Sequence, residues 1–351
     1  MEVHVHLLSK GGGEEFHQMM LSRQFVPGQY SCILVRLFHP DMKSRRFVAP
    51  AQVGLLLILA ISAFAKNRIL VVVVPVANMY SKPTEKSDVV SQTIYGSNVQ
   101  MLQARGEWSR IQTSDHYKGW TPSRYLRTLL VGDGYATSGP TVQVESLFAS
   151  IYAEPDITKH KPVITVPFES RLEVAPGDSK GASKADTATK KDKVPEGWLR
   201  VRLAGQTLGW IQQGDVVAAP KPLTVPQSIE LAKRFLGLPY LWGGRSSFGF
   251  DCSGFTQMLM RARGFEMPRD ADQQAAWSGV SPVNRKDLQA GDLLFFGSSA
   301  KEISHTGMYI GDGQFIHDST NGRPTVQIGR LEDDPWTRLL VACRRVKEAK
   351  R

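Results

Sequence analysis

The middle of the chain is written twice, and a repeat limits the possible folds more tightly than composition does. Met79-Tyr80-Ser81-Lys82-Pro83 is echoed by Ile151-Tyr152-Ala153-Glu154-Pro155. Gly106-Glu107-Trp108-Ser109-Arg110-Ile111 is echoed by Glu196-Gly197-Trp198-Leu199-Arg200-Val201, and Lys118-Gly119-Trp120-Thr121-Pro122 by Leu208-Gly209-Trp210-Ile211-Gln212. Each copy has short alternating segments cut by turn residues, the pattern of a small β-barrel. The copies cover residues 68–128 and 140–218. The second is longer because of residues 177–195, which hold no large apolar side chain before Val194 and are expected to form a mobile loop. Trp108, Trp120, Trp198 and Trp210 are expected in the barrel cores rather than against a ligand. A length of 351 residues leaves room for a further domain. Pro220-Lys221-Pro222 is the expected linker to it.

Past that linker the pattern changes. Pro226 suits the first turn of a helix, Ile229, Ala232, Phe235 and Leu236 share one face, and Gly237 closes it. A loop, Pro239-Tyr240-Leu241-Trp242-Gly243-Gly244, leads to Asp251-Cys252-Ser253. Phe255, Met258, Leu259 and Ala262 then follow helical spacing as far as Gly264. Cys252 therefore stands at or just before a helix N-terminus. The dipole and free amides there favour thiolate, the nucleophilic form.

Two histidines follow on strand-like segments. Residues 291–296, 307–310 and 314–317 read as consecutive strands, with Gly311-Asp312-Gly313 as the hairpin turn between the last two. Strand geometry makes cooperation of the histidines conditional. A three-residue loop at 311–313 sets His317 opposite Gly307 and makes His305 its diagonal neighbour on the same face. A two-residue turn slips the register and sends the rings to opposite faces. A joint role predicts the three-residue, bulged hairpin. His305 can then take the Cys252 proton and later give it to a leaving amine, while His317 holds His305 in one tautomer. The amide of Cys252 and the hydroxyl of Tyr240 are candidate oxyanion donors. Tyr240 and Trp242 fit a core or rim position equally well.

The N-terminus gives an expected address. Met42-Lys43-Ser44-Arg45-Arg46 is basic, residues 53–61 form an apolar run too short to span a bilayer, and Ala63-Phe64-Ala65 has the small-x-small pattern of a signal-peptidase site. Residues 42–65 read as a secretory signal, and residues 1–41 as an extension from a misassigned start codon. A membrane anchor with a short cytoplasmic tail is the competing reading. The mature protein is expected to begin near Lys66, outside the cytoplasm, with no stable membrane span. Cysteine usage agrees. Cys32 falls in the discarded part, Cys343 sits in an apolar strand-like stretch, and two cysteines make no disulfide framework. The net charge of +10 fits a solvated basic surface or affinity for an anionic envelope polymer. No motif for nucleic acid accompanies it.

Pro239-Tyr240-Leu241-Trp242-Gly243-Gly244, Asp251-Cys252-Ser253-Gly254-Phe255, Pro268-Arg269-Asp270, Ala290-Gly291-Asp292-Leu293, His305-Thr306-Gly307-Met308-Tyr309-Ile310-Gly311 and Phe315-Ile316-His317 occur in that order over residues 225–347. In these motifs the segment resembles the NlpC-type cell-wall cysteine peptidases. The two repeats resemble bacterial SH3-like domains. Together they look like the γ-D-glutamyl-L-diamino-acid endopeptidases, which cut peptidoglycan stem peptides between D-glutamate and the diamino acid. The resemblance implies two small all-β SH3-like barrels followed by an α+β papain-like domain. It implies Cys252 as nucleophile, His305 as base, His317 as third polar residue and Tyr240 on the oxyanion side. In relatives of this architecture the neighbouring SH3-like domain closes one end of the groove, and acidic and hydroxyl groups hold the free amine of L-alanine. Asp251 and Ser253 match positions of that pocket. Asp270, Trp242, Tyr117 and Asp88 are further expected contributors. Where relatives often carry Ser after Arg269-Asp270, Ala271 stands here, which removes one polar substrate contact.

Two other functions compete: an envelope binding protein with a degenerate site, and an amidase or acyltransferase on the same fold. The intact Cys252, His305 and His317 argue against the first. The barrels and the export signal favour cell-wall peptide over lipid. No cofactor is expected, nor a metal, because Cys252, His305 and His317 lack a fourth ligand or paired-cysteine spacing. The expected partner is peptidoglycan or a muropeptide, met by a monomer in the periplasm, envelope or extracellular space, in wall degradation or recycling.

Overall fold

The computed structural model describes residues 68–130, 133–175 and 194–347. The expected N-terminal extension, the secretory signal and nearly all of the expected mobile loop lie outside the described residues.

The repeat in sequence is a repeat in topology. The first barrel contains β1 (Ile69–Val72), β2 (Val76–Tyr80), β3 (Val89–Ile94), β4 (Asn98–Arg105), β5 (Trp108–Gln112), β6 (Lys118–Pro122) and β7 (Leu126–Thr128). They pair in the order β3-β2-β6-β5-β4-β1-β7. The second contains β8 (Thr141–Val144), β9 (Phe148–Tyr152), β10 (Ile164–Pro167), β11 (Arg171–Val174), β12 (Trp198–Arg202), β13 (Leu208–Gln212) and β14 (Val216–Val217). Their order, β10-β9-β13-β12-β11-β8-β14, is the same strand for strand. The Gly-Trp pairs explain one shared contact. A Cβ at Gly119 would lie 2.8 Å from that of Met79, and one at Gly209 would lie 2.6 Å from Ile151, so only glycine lets β6 press on β2 and β13 on β9.

The tryptophans depart from expectation. Trp120 is buried, but Trp108, Trp198 and Trp210 are only half-buried. The cores are filled by smaller side chains, such as Leu70, Val72, Met79 and Ile111 in the first barrel and Val144, Ile151, Leu172 and Ile211 in the second. Trp108, Trp198 and Trp210 instead pack their rings near the barrel surface. Trp108 meets Tyr80 edge-on at 5.5 Å, Trp198 meets Tyr152 at 5.8 Å, and the Arg200 guanidinium covers Trp210.

The third region is α+β. Helix α1 (Val225–Arg234) starts at Thr224 with a capping box to Gln227. Then come β15 (Arg245–Ser246), β16 (Gly249–Phe250), α2 (Cys252–Ala262) and α3 (Ala271–Ala275). The strands β17 (Val280–Pro282), β18 (Leu293–Ser299), β19 (Glu302–Gly311), β20 (Gln314–Ser319) and β21 (Thr325–Arg330), with α4 (Trp336–Leu339) and β22 (Leu340–Val346), complete it. The sheet order is β17-β22-β18-β19-β20-β21. Leu293, Phe295, Met308 and Ile316 pack with Leu231, Phe235, Phe255 and Leu259 of the helical layer. Leu294, Phe296 and Phe315, which alternate with them, pack with Trp336.

The β19–β20 hairpin reaches the expected register by a different route. Two residues join the strands, Asp312 and Gly313, both with positive φ (52° and 71°). A register shift between Tyr309 and Gly311 places Ile310 in a bulge. The bulge supplies the residue that the tighter turn lacks, so Met308 pairs with Ile316. Gly307 therefore faces His317, whose Cβ would lie 3.0 Å from a Cβ at Gly307.

Candidate active site

Cys252 is the first residue of α2 and is 7% exposed. Asp251 caps that helix by accepting from the Gly254 amide at 2.7 Å. The amides of Ser253 and Thr306 lie close enough to the Cys252 sulfur to favour its ionised form. The thiol thus lies against β19 at the residue that follows His305. His305 Nε2 is 2.8 Å from His317 Nδ1. That bond occupies Nε2 and leaves Nδ1 of His305 for a second partner. Trp336 stacks on His305 at 5.1 Å and meets His317 edge-on at 4.8 Å, holding both rings.

The electrostatics differ from the helix-dipole expectation. Burial, then the adjacent Asp251 charge, pushes the Cys252 thiol up to about 12. The two amides and Arg269 oppose this without reversing it. Burial holds His305 down at about 4, and burial with the neighbouring His305 holds His317 well below the usual imidazole value. The dipole acts over one helix turn, whereas desolvation removes the whole hydration of a charge, so desolvation wins. Thiol and imidazole therefore both rest neutral.

Around this pair sits a polar cluster anchored by a buried arginine. Arg269 is 2% exposed and grips both Asp251 oxygens at 2.9 and 2.6 Å. It also donates to Ser253 Oγ at 2.8 Å and, through Nε, to Ser91 Oγ of the first barrel at 3.2 Å. Asp251 further accepts from the Gly243 amide at 3.0 Å and from the Ser253 hydroxyl at 3.2 Å. One ion pair therefore fixes the helix start, the 239–244 loop and the barrel edge together. The Tyr117 hydroxyl of the first barrel lies near Asp270, and its ionisation is pushed up to about 12 by burial and then by the Asp270 charge. Burial raises the Asp270 carboxyl as well. Tyr240 is half-buried, and burial, then the Cys252 charge, raises its hydroxyl.

The expected site residues thus separate into two groups. Cys252, Asp251, Ser253, His305 and His317 come together, with Tyr240 beside the thiol and Tyr117 with Asp270 at the barrel side. Trp242 stands on the rim, 71% exposed. Asp88 is exposed, and its neighbour Val89, not its carboxylate, abuts Gly243. Ala271 is buried at the start of α3 and offers no polar group. Sequence reasoning missed Arg269, Asp115 and Trp336. Asp115 accepts from Gln257 of α2 at 2.9 Å and pairs with Arg245 at 3.5 Å. The Pro268-Arg269-Asp270 motif carried a signal for Arg269, but nothing in the linear sequence linked Asp115 to α2. Cys343 is free and buried on β22. Among the described residues no group of three or more His, Cys, Asp and Glu is arranged to hold a metal, and no helix is long and apolar enough to cross a membrane.

A thiol at a helix start, set against an antiparallel sheet that carries two hydrogen-bonded histidines, defines a papain-like cysteine peptidase. The chain belongs to the NlpC/P60 family, which residues 237–345 match. Residues 75–127 match the bacterial SH3 domain and residues 178–217 the GW (Gly-Tryp) dipeptide domain. The chain is 32% identical over 247 residues to the gamma-D-glutamyl-L-lysine dipeptidyl-peptidase of Bacillus cereus, covering 67% of this chain and 68% of that protein. It is 41% identical over 140 residues to the Bacillus subtilis protein of the same name, covering 39% and 46%. The crystal structure of a NlpC/P60 family protein from Bacillus cereus superposes with a TM-score of 0.66 at 26% identity, over 79% of this chain and 99% of that one.

Proposed function

We propose that the protein is an exported endopeptidase that hydrolyses the γ-D-glutamyl–L-diamino acid bond of peptidoglycan stem peptides, favouring peptides with a free N-terminal L-alanine amine. The observation that carries the chemistry is the 2.8 Å imidazole pair on β19 and β20, next in sequence to the Thr306 amide that approaches the Cys252 sulfur. The names of the two Bacillus relatives support the bond.

Because both groups rest neutral, the Cys252 proton moves to His305 Nδ1 as the sulfur attacks the γ-carbonyl carbon. The Cys252 amide and the Tyr240 hydroxyl receive the charge that develops on the carbonyl oxygen. His305 returns the proton to the leaving amine of the diamino acid, and a thioester remains on Cys252. Water, deprotonated by the same imidazole, then releases the γ-glutamyl product. His317 keeps His305 in the tautomer this sequence needs, with Nε2 engaged.

The amine preference rests on charge. Asp251 and Asp270 place two carboxyls near one guanidinium, Arg269, and Tyr117 and Ser253 add hydroxyls. The cluster is short of cations by one, which suits a substrate ammonium. The test incubates purified protein with L-Ala-γ-D-Glu-diaminopimelate, either free or N-acetylated, and weighs the products. The free peptide is expected to be cut and the acetylated one spared. Equal cutting of both removes the amine pocket, and no cutting of either by folded protein removes the substrate.

A further inference from the structure

Asp318 follows His317 on β20 and is fully buried. Neither of its carboxyl oxygens has a hydrogen-bond partner, and neither does Thr306 Oγ1, which is equally buried. Extending the Met308–Ile316 register by two residues sets Asp318 opposite Thr306. Strand alternation puts both on the side of Met308 and Ile316, which faces the helical layer. The Thr306 amide approaches the Cys252 sulfur and favours its ionised form. Asp318 therefore stands across the strand pair from the residue whose amide approaches the thiol, and buried orphans of this kind call for a reason.

The groups around Asp318 offer it no compensating cation. Asp251 stands at the start of α2 just before Cys252, Tyr240 comes from the 239–244 loop, and Val326 of β21 lies across the ladder. His305 and His317 belong to the same strand pair, on the alternate face. Arg269 is committed to Asp251. Burial, then the Asp251 charge, pushes the Asp318 carboxyl up to about 8. The Ser319 amide leans toward the ionised form, yet its geometry falls short of a hydrogen bond.

We propose that Asp318 is a positioning residue that works in its protonated form, acting through Cys252 and Tyr240 so that negative charge can develop on the sulfur and the substrate oxygen. Losing that proton to solvent leaves a buried, uncompensated carboxylate near Tyr240 and Asp251, and the reaction slows. The inference rests on Cys252 being the nucleophile, but not on the identity of the peptide. At an effective dielectric of about 20 a unit charge this close changes the rate by about tenfold or more.

The test follows Cys252 alkylation by iodoacetamide, read by peptide mass to separate it from Cys343, alongside hydrolysis, from about pH 6 to about pH 9.5. Asp318→Asn keeps the shape of the protonated acid and cannot ionise. Both proteins should react within about twofold of each other at pH 6, and the variant about tenfold faster than the wild type at the alkaline end in both assays. A ratio that stays constant with pH overturns the proposal. Where the variant fails to fold, the wild-type alkylation profile decides alone: a break near 8 supports it, and a single smooth ionisation overturns it. A break without cleavage of any γ-glutamyl peptide keeps this inference and discards the substrate reading.

Discussion

The two barrels share one strand order and do different work. Their β3–β4 and β10–β11 turns are equivalent, and each inserts an aromatic into the module that follows. Tyr95 packs in the core of the second barrel and accepts from the Ala204 amide at 2.7 Å. Phe168 packs in the core of the peptidase domain, edge-on to Phe235 at 5.5 Å. The β5–β6 and β12–β13 loops are equivalent too. The first carries Asp115 and Tyr117 to α2 and Asp270, whereas Ala204 of the second hydrogen-bonds Tyr95 and Arg127 of the first barrel. One fold thus serves as a wedge in the second copy and as a wall of the site in the first. The copies are similar in what holds each barrel together and different in what each presents.

That difference can be broken from either side. The largest effect is expected from Phe168→Ala, which empties a buried aromatic site shared by the second barrel and the peptidase core. It should cost about 3–5 kcal/mol of unfolding free energy while leaving KM for the peptide unchanged, as read by denaturant melts and steady-state kinetics. Tyr117→Phe removes one hydroxyl from the barrel wall. KM for free-amine peptide should rise about tenfold with the melting temperature unmoved, since one hydrogen bond to a charged group is worth about 1.5–3 kcal/mol. A Phe168 variant that altered KM alone, or a Tyr117 variant that altered stability alone, would exchange the two roles.

Much of this was legible from the linear sequence where the signal is local. The Gly-Trp echoes implied two copies of one barrel because a close strand approach demands glycine at the same place in each. Strand alternation implied that His305 and His317 could share a face, although the structure pairs a two-residue turn with a bulge at Ile310. What escaped depends on contacts between distant segments. Burial around Cys252 outweighs the helix dipole, and Arg269 ties Asp251 to Ser91 of the first barrel. Trp336 packs both histidines from a short helix near the end of the described chain. Trp120 is buried as expected, but Trp108, Trp198 and Trp210 misled because they pack against Tyr80, Tyr152 and Arg200 rather than in the cores. Asp88 misled because a barrel near the site does not bring every acidic side chain to it.

The central claim is that Cys252 carries the acyl group. Rapid mixing with L-Ala-γ-D-Glu-diaminopimelate, acid quenching and peptide mass spectrometry test it directly. A transient L-Ala-γ-D-glutamyl adduct is expected on the peptide that contains Cys252, lost together with product formation in Cys252→Ala. Product release at an undiminished rate by the folded Cys252→Ala protein would contradict it.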